Sequence, residues 1–460
     1  MLTRILQANV QRFIFHSAFK SIIIITMKKI NHIQTIFFAA ALIFFSACKK
    51  DYGNLNGPTV ENYQSNATVA GLNNLVSGTE SGMRTSVAFY LDDVGTIGRE
   101  TYRFSNSEPR YVTDLLGASN AELSGSNFYI STPWASRYRV VKNCNILIDA
   151  ANNTTLATDA QKKAYTGFAK TIEAYQLLMN LNLTDSNGIR VDVADPDNLG
   201  PITDYSTALA SISSLLDDGK NDLNGADVAF PLAGFGQFND ANGLIKFNRA
   251  LAARVDVYQK KWSDALAALD ESFFNLNGDF TTGVYHVFGT GSGDQLNPAF
   301  IPQNQNGEVR VAHPSFAKDI LQNDDRINKA TLRTSTASIP AGLSSNRDVW
   351  VYTSSTASIP IIRNEELILI YAEANIQLNN FDDAVKALDV IRTKHGLAKY
   401  SGAQTQPALI DEMLYERRYS LYFEGHRWID MRRYNRLNQL PLDRPDDDVW
   451  SEFPLPVTEQ

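Results

Sequence analysis

Apolar side chains return every three or four residues in three long stretches, the spacing that keeps them on one face of a helix. The first is Ala164, Phe168, Ile172, Tyr175 and Met179. The second is Leu244, Phe247, Leu251, Val255 and Tyr258, which runs into Trp262 and a further helix through Leu269 and Phe273. The third is Leu367, Tyr371, Ala374 and Leu378, followed by a turn at Asn379-Asn380 and a helix from Asp382. Asp382 is placed to cap the free amides of that helix's first turn. Gly396 is placed to close it, because glycine takes the left-handed conformation cheaply. The second and third stretches resemble each other. Residues 263–270 (SDALAALD) align with 382–389 (DDAVKALD) at an offset of 119, with Trp262 over Phe381 and Ala253 over Ala372. Helix, short turn and helix, with alanine where backbones approach closely, is the layout of a tetratricopeptide-like hairpin. The offset far exceeds the roughly 34-residue tandem period, so insertions separate the copies. A plain α-bundle is the competing arrangement.

Two stretches lack that period. Residues 84–140 carry nine aromatics, and residues 276–363 are rich in Gly, Ser, Thr, Asn and Pro. Long irregular stretches in a compact domain are usually functional or disordered, and the aromatic content argues against disorder. Ordered loops and short strands over a helical scaffold are expected there.

Residues 36–45 (IFFAAALIFF) form an unbroken apolar run, preceded by Lys28 and Lys29 and followed by Ser46-Ala47-Cys48. That order is a secretory signal, and the run is far short of the roughly 20 residues that span a bilayer as a helix. Met27 reads as the start, which makes 1–26 an over-extension and 1–47 the signal peptide. Cys48 after Ser-Ala resembles a bacterial lipobox, with Phe45 in place of the usual leucine. Cys48 would then carry the lipid, and 48–66 would be a flexible tether, anchored to a membrane without spanning it.

The 460 residues are 44% hydrophobic and 20% charged, near the globular average. The net charge is −8; removing 1–47 takes away five basic side chains and no acidic ones, leaving 37 basic against 50 acidic, a net −13. Such a surface argues against general binding to nucleic-acid phosphates. Two cysteines exclude a disulfide-dense scaffold. Cys144, in the apolar helical context VVKNCNILI, reads as a buried inert thiol.

Residues 410–433 read IDEMLYERRYSLYFEGHRWIDMRR, and the chain ends FPLPVTEQ. This resembles the C-terminal signature of the SusD/RagB family of Bacteroidota outer-membrane lipoproteins. The matching residues are Glu416, Arg417, Phe423, Glu424, Gly425, Arg427, Trp428, Asp430, Pro454 and Pro456. Residues 363–397 resemble the family's tetratricopeptide hairpin, with 371–374 (YAEA) and Ile391-Arg392 in register. Asp324-Asp325-Arg326 resembles its Asp-x-Arg element, and Trp134, Tyr138 and Asn145 resemble a run in its N-terminal half. Residues 167–191 are similar to its following helix, although 171–173 (TIE) lacks the arginine often found there. The resemblance implies a mainly α SusD-like fold on a tetratricopeptide-like helical-hairpin scaffold with long irregular loops and short strands. It implies a surface-exposed lipoprotein that sits as a hinged lid on a SusC-like TonB-dependent transporter and captures glycans or, in some branches, peptides. The expected organisation is an N-terminal half over 67–275, an irregular ligand-loop insertion over 276–363, and the C-terminal hairpin with its signature over 364–460.

Function must come from the site itself. Binding a glycan without chemistry takes aromatic faces and polar groups that orient hydroxyls. The irregular stretches supply candidates: Tyr90, Asp92, Tyr102, Phe104, Arg110 and Tyr111 in one, and Tyr285, Phe288 and Trp350 in the other. Trp350 with Tyr352 reads equally as a buried strand entering the third hairpin. Trp134 and Trp428 are assigned to the core. The alternating charges Glu416, Arg417, Arg418, Glu424, Arg427, Asp430, Arg432 and Arg433 read as an ion-pair network locking the last helix down, with His426 a structural histidine. The sequence carries no His-Glu-x-x-His, Gly-x-Ser-x-Gly or phosphate loop. Asp192, Asp195 and Asp197 have calcium-ligand character without a recognised loop spacing, so a solvated acidic loop is expected. No enzyme activity, cofactor or metal is expected. Two alternatives remain: the same fold binding peptides, and a structural lipoprotein whose helical repeats scaffold partner proteins.

Overall fold

The computed structural model describes residue 63 and residues 65–459, all within one unit, Val60–Gln460. The expected signal peptide over 1–47, Cys48 and most of the expected tether lie outside the described residues. Each strongly periodic stretch is a helix: α1 (Val69–Met83), α2 (Val87–Ile97), α3 (Phe128–Asn153), α4 (Asp159–Thr184), α5 (Tyr205–Leu223), α6 (Ala241–Tyr258) and α7 (Trp262–Asp270) come first. From α3 onward each packs on the next. A capping box starts α4: Thr158 accepts from the Gln161 amide and the Gln161 side chain accepts from Thr158. From Ala164 to Thr184 every residue of α4 except Lys170 is buried, because α3 and α5 cover opposite flanks. Gly167 lets α5 approach: a Cβ there would lie 2.8 Å from the Gly219 carbonyl oxygen and 2.6 Å from Leu223 Cγ.

The chain then adds a short α8 (Pro314–Asp319), and ends in α9 (Asn364–Gln377), α10 (Phe381–Lys394), α11 (Gln406–Ser420) and α12 (Arg427–Arg433). Helices α6–α7 and α9–α10 are the two hairpins expected from the repeat, and α9 packs on both α6 and α7. Helix α10 begins one residue early, with Asn380 at the cap position. Asp382 is therefore not the cap; it lies in the first turn, where its charge meets the positive end of the helix dipole. Gly396 closes the helix at φ +80°, and the Leu397 amide donates back to the Arg392 carbonyl at 2.9 Å.

The irregular reading of 84–140 is corrected at both ends, which are α2 and the first half of α3. Every residue of α2 except Phe89 is buried, and a helix covered on all sides shows no polar period. Between them runs β1 (Thr101–Phe104), and a short antiparallel pair, β2 (Ile189–Arg190) and β3 (Ile202–Thr203), joins α4 to α5. The second stretch supplies β4 (Gly283–His286), β5 (Val309–Ala312), β6 (Ala330–Ser338), β7 (Ser344–Val349) and β8 (Ile359–Arg363). Strands order β1-β5-β7-β6 in an antiparallel sheet, and β4 pairs with β8, which runs directly into α9. Among the described residues no helix is long and apolar enough to cross a membrane.

The charged C-terminal segment is structural. Arg326, with no exposed surface on its side chain, binds Asp324 at 2.8 and 2.7 Å and Glu416 at 2.6 Å. Arg417 binds Asp430 at 2.7 Å, and Arg433 joins Asp430 to Glu373 at 2.9 and 2.8 Å. Arg363 bridges Glu365 and Glu424. Trp134 and Trp428 are both buried, and Trp428 donates through Nε1 to the Trp450 carbonyl at 2.7 Å. Cys144 is buried and unpaired, its thiol pushed well up by burial.

Candidate functional site

Of the nine candidate binding residues, six are interior. Tyr102 and Phe104 point to one side of β1 and stack at 5.4 Å in a small core with Val309, Val311 and Leu343. Asp92 is gripped by the Arg310 guanidinium at 2.5 and 2.7 Å. Tyr111 packs edge-on against Phe128 at 5.0 Å. Phe288 lies under Arg84, and Tyr90 lines a small cavity. A buried ring offers no face to a sugar, so these six are framework. The three with exposed surface are Arg110, Tyr285 and Trp350. Arg110 is tied to Glu108 at 2.7 and 2.6 Å. Trp350 is half-buried, its ring 6.1 Å from Phe300.

Tyr285 lines an open cleft of about 460 Å³ between the last turn of α1, the 231–233 loop, and β4 with the loop that follows it. Its backbone amide donates to the Gly234 carbonyl at 2.9 Å. Its hydroxyl donates to the Thr281 carbonyl, and burial pushes the phenol up to about 12, so it remains a neutral hydrogen-bonding group. Opposite, the Glu80 carboxylate accepts from the Ala233 and Gly234 amides at 2.9 and 2.7 Å. Arg84 pairs with Asp294 and donates to the Val287 carbonyl at 2.7 Å. The Gln295 amide and the Arg84 guanidinium hold the Asp294 carboxyl below its ordinary value. Together these give one aromatic wall, a guanidinium and two carboxylates at one opening, the mixture that orients a polyhydroxylated ligand. The sequence pattern points to Tyr285 alone. Glu80, Arg84 and Asp294 escape it because Arg84 and Asp294 meet across 210 positions, a distance no local spacing reveals.

The small cavity beside Tyr90 holds about 40 Å³, room for a water or two. Arg254 in its wall binds Glu366 at 2.7 Å through two nitrogens. Burial drives His286 down to about 3 and His426 to about 4, so both are neutral at physiological pH.

Residues 295–450 match the model of the SusD family. That region is similar to the SusD family. It contains the Asp324-x-Arg326 element, the hairpin and the Phe423–Asp430 segment, while Trp134, Tyr138 and Asn145 lie outside the match. A SusD superfamily protein from Bacteroides vulgatus superposes with a TM-score of 0.64 at 14% identity, covering 85% of this chain and 96% of the other. A SusD-like carbohydrate binding protein from the same organism gives 0.60 at 16%, covering 80% and 84%. Surface glycan-binding protein A from Bacteroides thetaiotaomicron, in complex with laminarihexaose, gives 0.66 at 13%, covering 85% and 97%. The fold is thus SusD-like, with its tetratricopeptide-like helices. No curated protein matches this SusD-like chain in sequence.

Proposed function

We propose that this chain captures glycans non-covalently at the bacterial surface and presents them to a SusC-like TonB-dependent transporter, without catalysis and without a cofactor. The Tyr285 cleft carries the reading, because it sets an aromatic ring and paired charges around one opening large enough for a few sugar units. The 276–363 stretch serves as the ligand loop by supplying Tyr285 and Asp294. The glycan-binding neighbour supports sugar as the ligand class. A lipid on Cys48 would anchor the chain in the outer membrane.

Calorimetric titration of the chain with laminarihexaose and other oligosaccharides tests the reading. Tyr285→Ala should weaken the responding glycan at least tenfold, and Tyr285→Phe should leave it nearly unchanged. Heat with peptides and none with sugars would replace glycan by peptide as the ligand.

A further inference from the structure

A second cleft, of about 560 Å³, opens on the helical scaffold where the ends of six helices converge. Asp185 follows the end of α4, and Tyr205 begins α5. Tyr258, Lys260 and Trp262 form the α6–α7 corner, and Arg433, Tyr434 and Asn435 close α12. Gln377, the last residue of α9, completes the wall. None of the nine candidate binding residues lines it.

Three features set this cleft apart from ordinary helix-end crevices. First, it is aromatic: Tyr205, Trp262 and Tyr434 line it and are each only partly buried. Neither Tyr205 nor Trp262 stacks on another ring among the described residues, and the Tyr205 hydroxyl and Trp262 Nε1 meet no hydrogen-bond partner there. Second, its two arginines are already neutralised, which leaves the exposed Lys260 as its one cation without an ion pair among the described residues. Arg432 binds Asp185 at 3.0 Å, and Arg433 binds Glu373 and Asp430 at 2.8 and 2.9 Å. Such an opening presents little net positive charge to an anion, but it does present donors and acceptors of both kinds. Third, its rim is held in uncommon backbone geometry. Asp185 stands at φ 44°, ψ −114°, and Lys260 and Asn435 have φ +60° and +54°. Strained residues persist only where their surroundings fix them, and they concentrate at ligand sites.

We infer that this cleft is a second carbohydrate site, in which a neutral pyranose ring lies against the Trp262 and Tyr205 rings and its hydroxyls meet the Tyr205 hydroxyl, the Asn435 amide and the Asp185 carboxylate. Uncharged sugars fit this chemistry: they need aromatic faces and mixed polar groups and gain nothing from free charge. A peptide that binds as an added strand needs an exposed strand edge, and this opening is built from helix ends. The inference is independent of the Tyr285 cleft. Two separate sites on one chain would let a long glycan engage twice and dissociate more slowly.

The test is calorimetric titration of the full chain with maltohexaose, laminarihexaose, cellohexaose, mannohexaose and a hexapeptide mixture, on wild type and single variants. A responding glycan should bind wild type at two sites. Trp262→Ala should remove one site or weaken it at least tenfold, and Trp262→Phe, which keeps an aromatic face, should stay within about threefold of wild type. Tyr285→Ala should leave the Trp262 site in place. Unchanged glycan binding in both Trp262→Ala and Tyr205→Ala overturns the inference, whatever Tyr285→Ala does. Sugar binding lost in Tyr285→Ala alone supports only the first cleft. Sugar binding lost in the Trp262 variant alone supports only the second. Peptide heat that disappears in Trp262→Ala overturns the carbohydrate assignment, and silence with every ligand overturns both clefts.

Discussion

Arg326 shows what the charged residues of the family signature do. Its guanidinium is shared between Asp324 and Glu416, with no exposed surface on any of the three side chains. Removing one partner from a buried ion pair strands the others, at a cost of about 3–5 kcal/mol. Arg326→Ala should therefore lower the free energy of unfolding in urea by that amount. The ion-pair role of Glu416, Arg417 and Asp430 is legible in the sequence because acidic and basic residues alternate there within reach of one helix and the next. The aromatics are not legible in the same way. Tyr102 and Phe104, two positions apart, point to one side of β1, and spacing alone does not tell a core-facing side from a ligand-facing one. Glu100 gives a pH signature. Burial raises its carboxyl to about 8, only partly offset by the Arg427 charge and the Phe423 amide. A carboxyl raised in the folded state adds stability that is complete below its unfolded value near 4.5 and is lost as pH rises through 8. Glu173 at about 7 and Asp256 at about 7 act in the same direction. Unfolding followed from pH 8 down to 7, above the range in which His286 and His426 would charge on unfolding, should show stability rising, and Glu100→Gln, neutral at every pH, should flatten that rise.

At the level of elements, legibility follows the spacing of apolar residues and not burial alone. Helices α4, α6 and α9 keep a periodic apolar set, and the spacing of that set is enough to reveal the hairpin layout, although α4 and α9 are buried almost throughout. Helix α2 has no such signal, because it is 11 residues long and its apolar residues run together from Val87 to Leu91. Close packing also sets the tolerance of each helix crossing. Where α4 meets α5, Gly167 leaves no room for a methyl group against the Gly219 carbonyl. Gly167→Ala should gain slightly in helix propensity but lose more through overpacking, about 1–3 kcal/mol net. Thermal unfolding followed by circular dichroism would register this as a lowered midpoint. A midpoint equal to wild type would show that α5 can shift aside.

Across the whole unit, the C-terminal tail joins segments that lie hundreds of residues apart. The Phe453 amide donates to the Leu183 carbonyl at the end of α4. The Phe453 ring, with no exposed surface, meets Trp428 at 5.7 Å and Tyr129 at 5.9 Å. Farther along, Glu459 pairs with Arg190 at 2.8 Å, and the Trp450 indole donates to the Asp114 carbonyl at 2.8 Å. The tail is thus a strap across α3, α4 and α12, elements that otherwise meet through separate helix pairs. Truncating a buried phenylalanine costs about 3–5 kcal/mol when the cavity cannot collapse, and here the walls come from three different helices. Phe453→Ala should accordingly destabilise the fold by that amount. It should also loosen the floor beneath Trp428, seen as a red-shifted indole emission before the main transition. Glu459→Gln, at a partly exposed pair, should cost at most about 1 kcal/mol. If both variants lost stability equally, the strap would act through its charges. If only Phe453→Ala did so, the tail would hold the molecule by packing, which its burial and ring contacts favour.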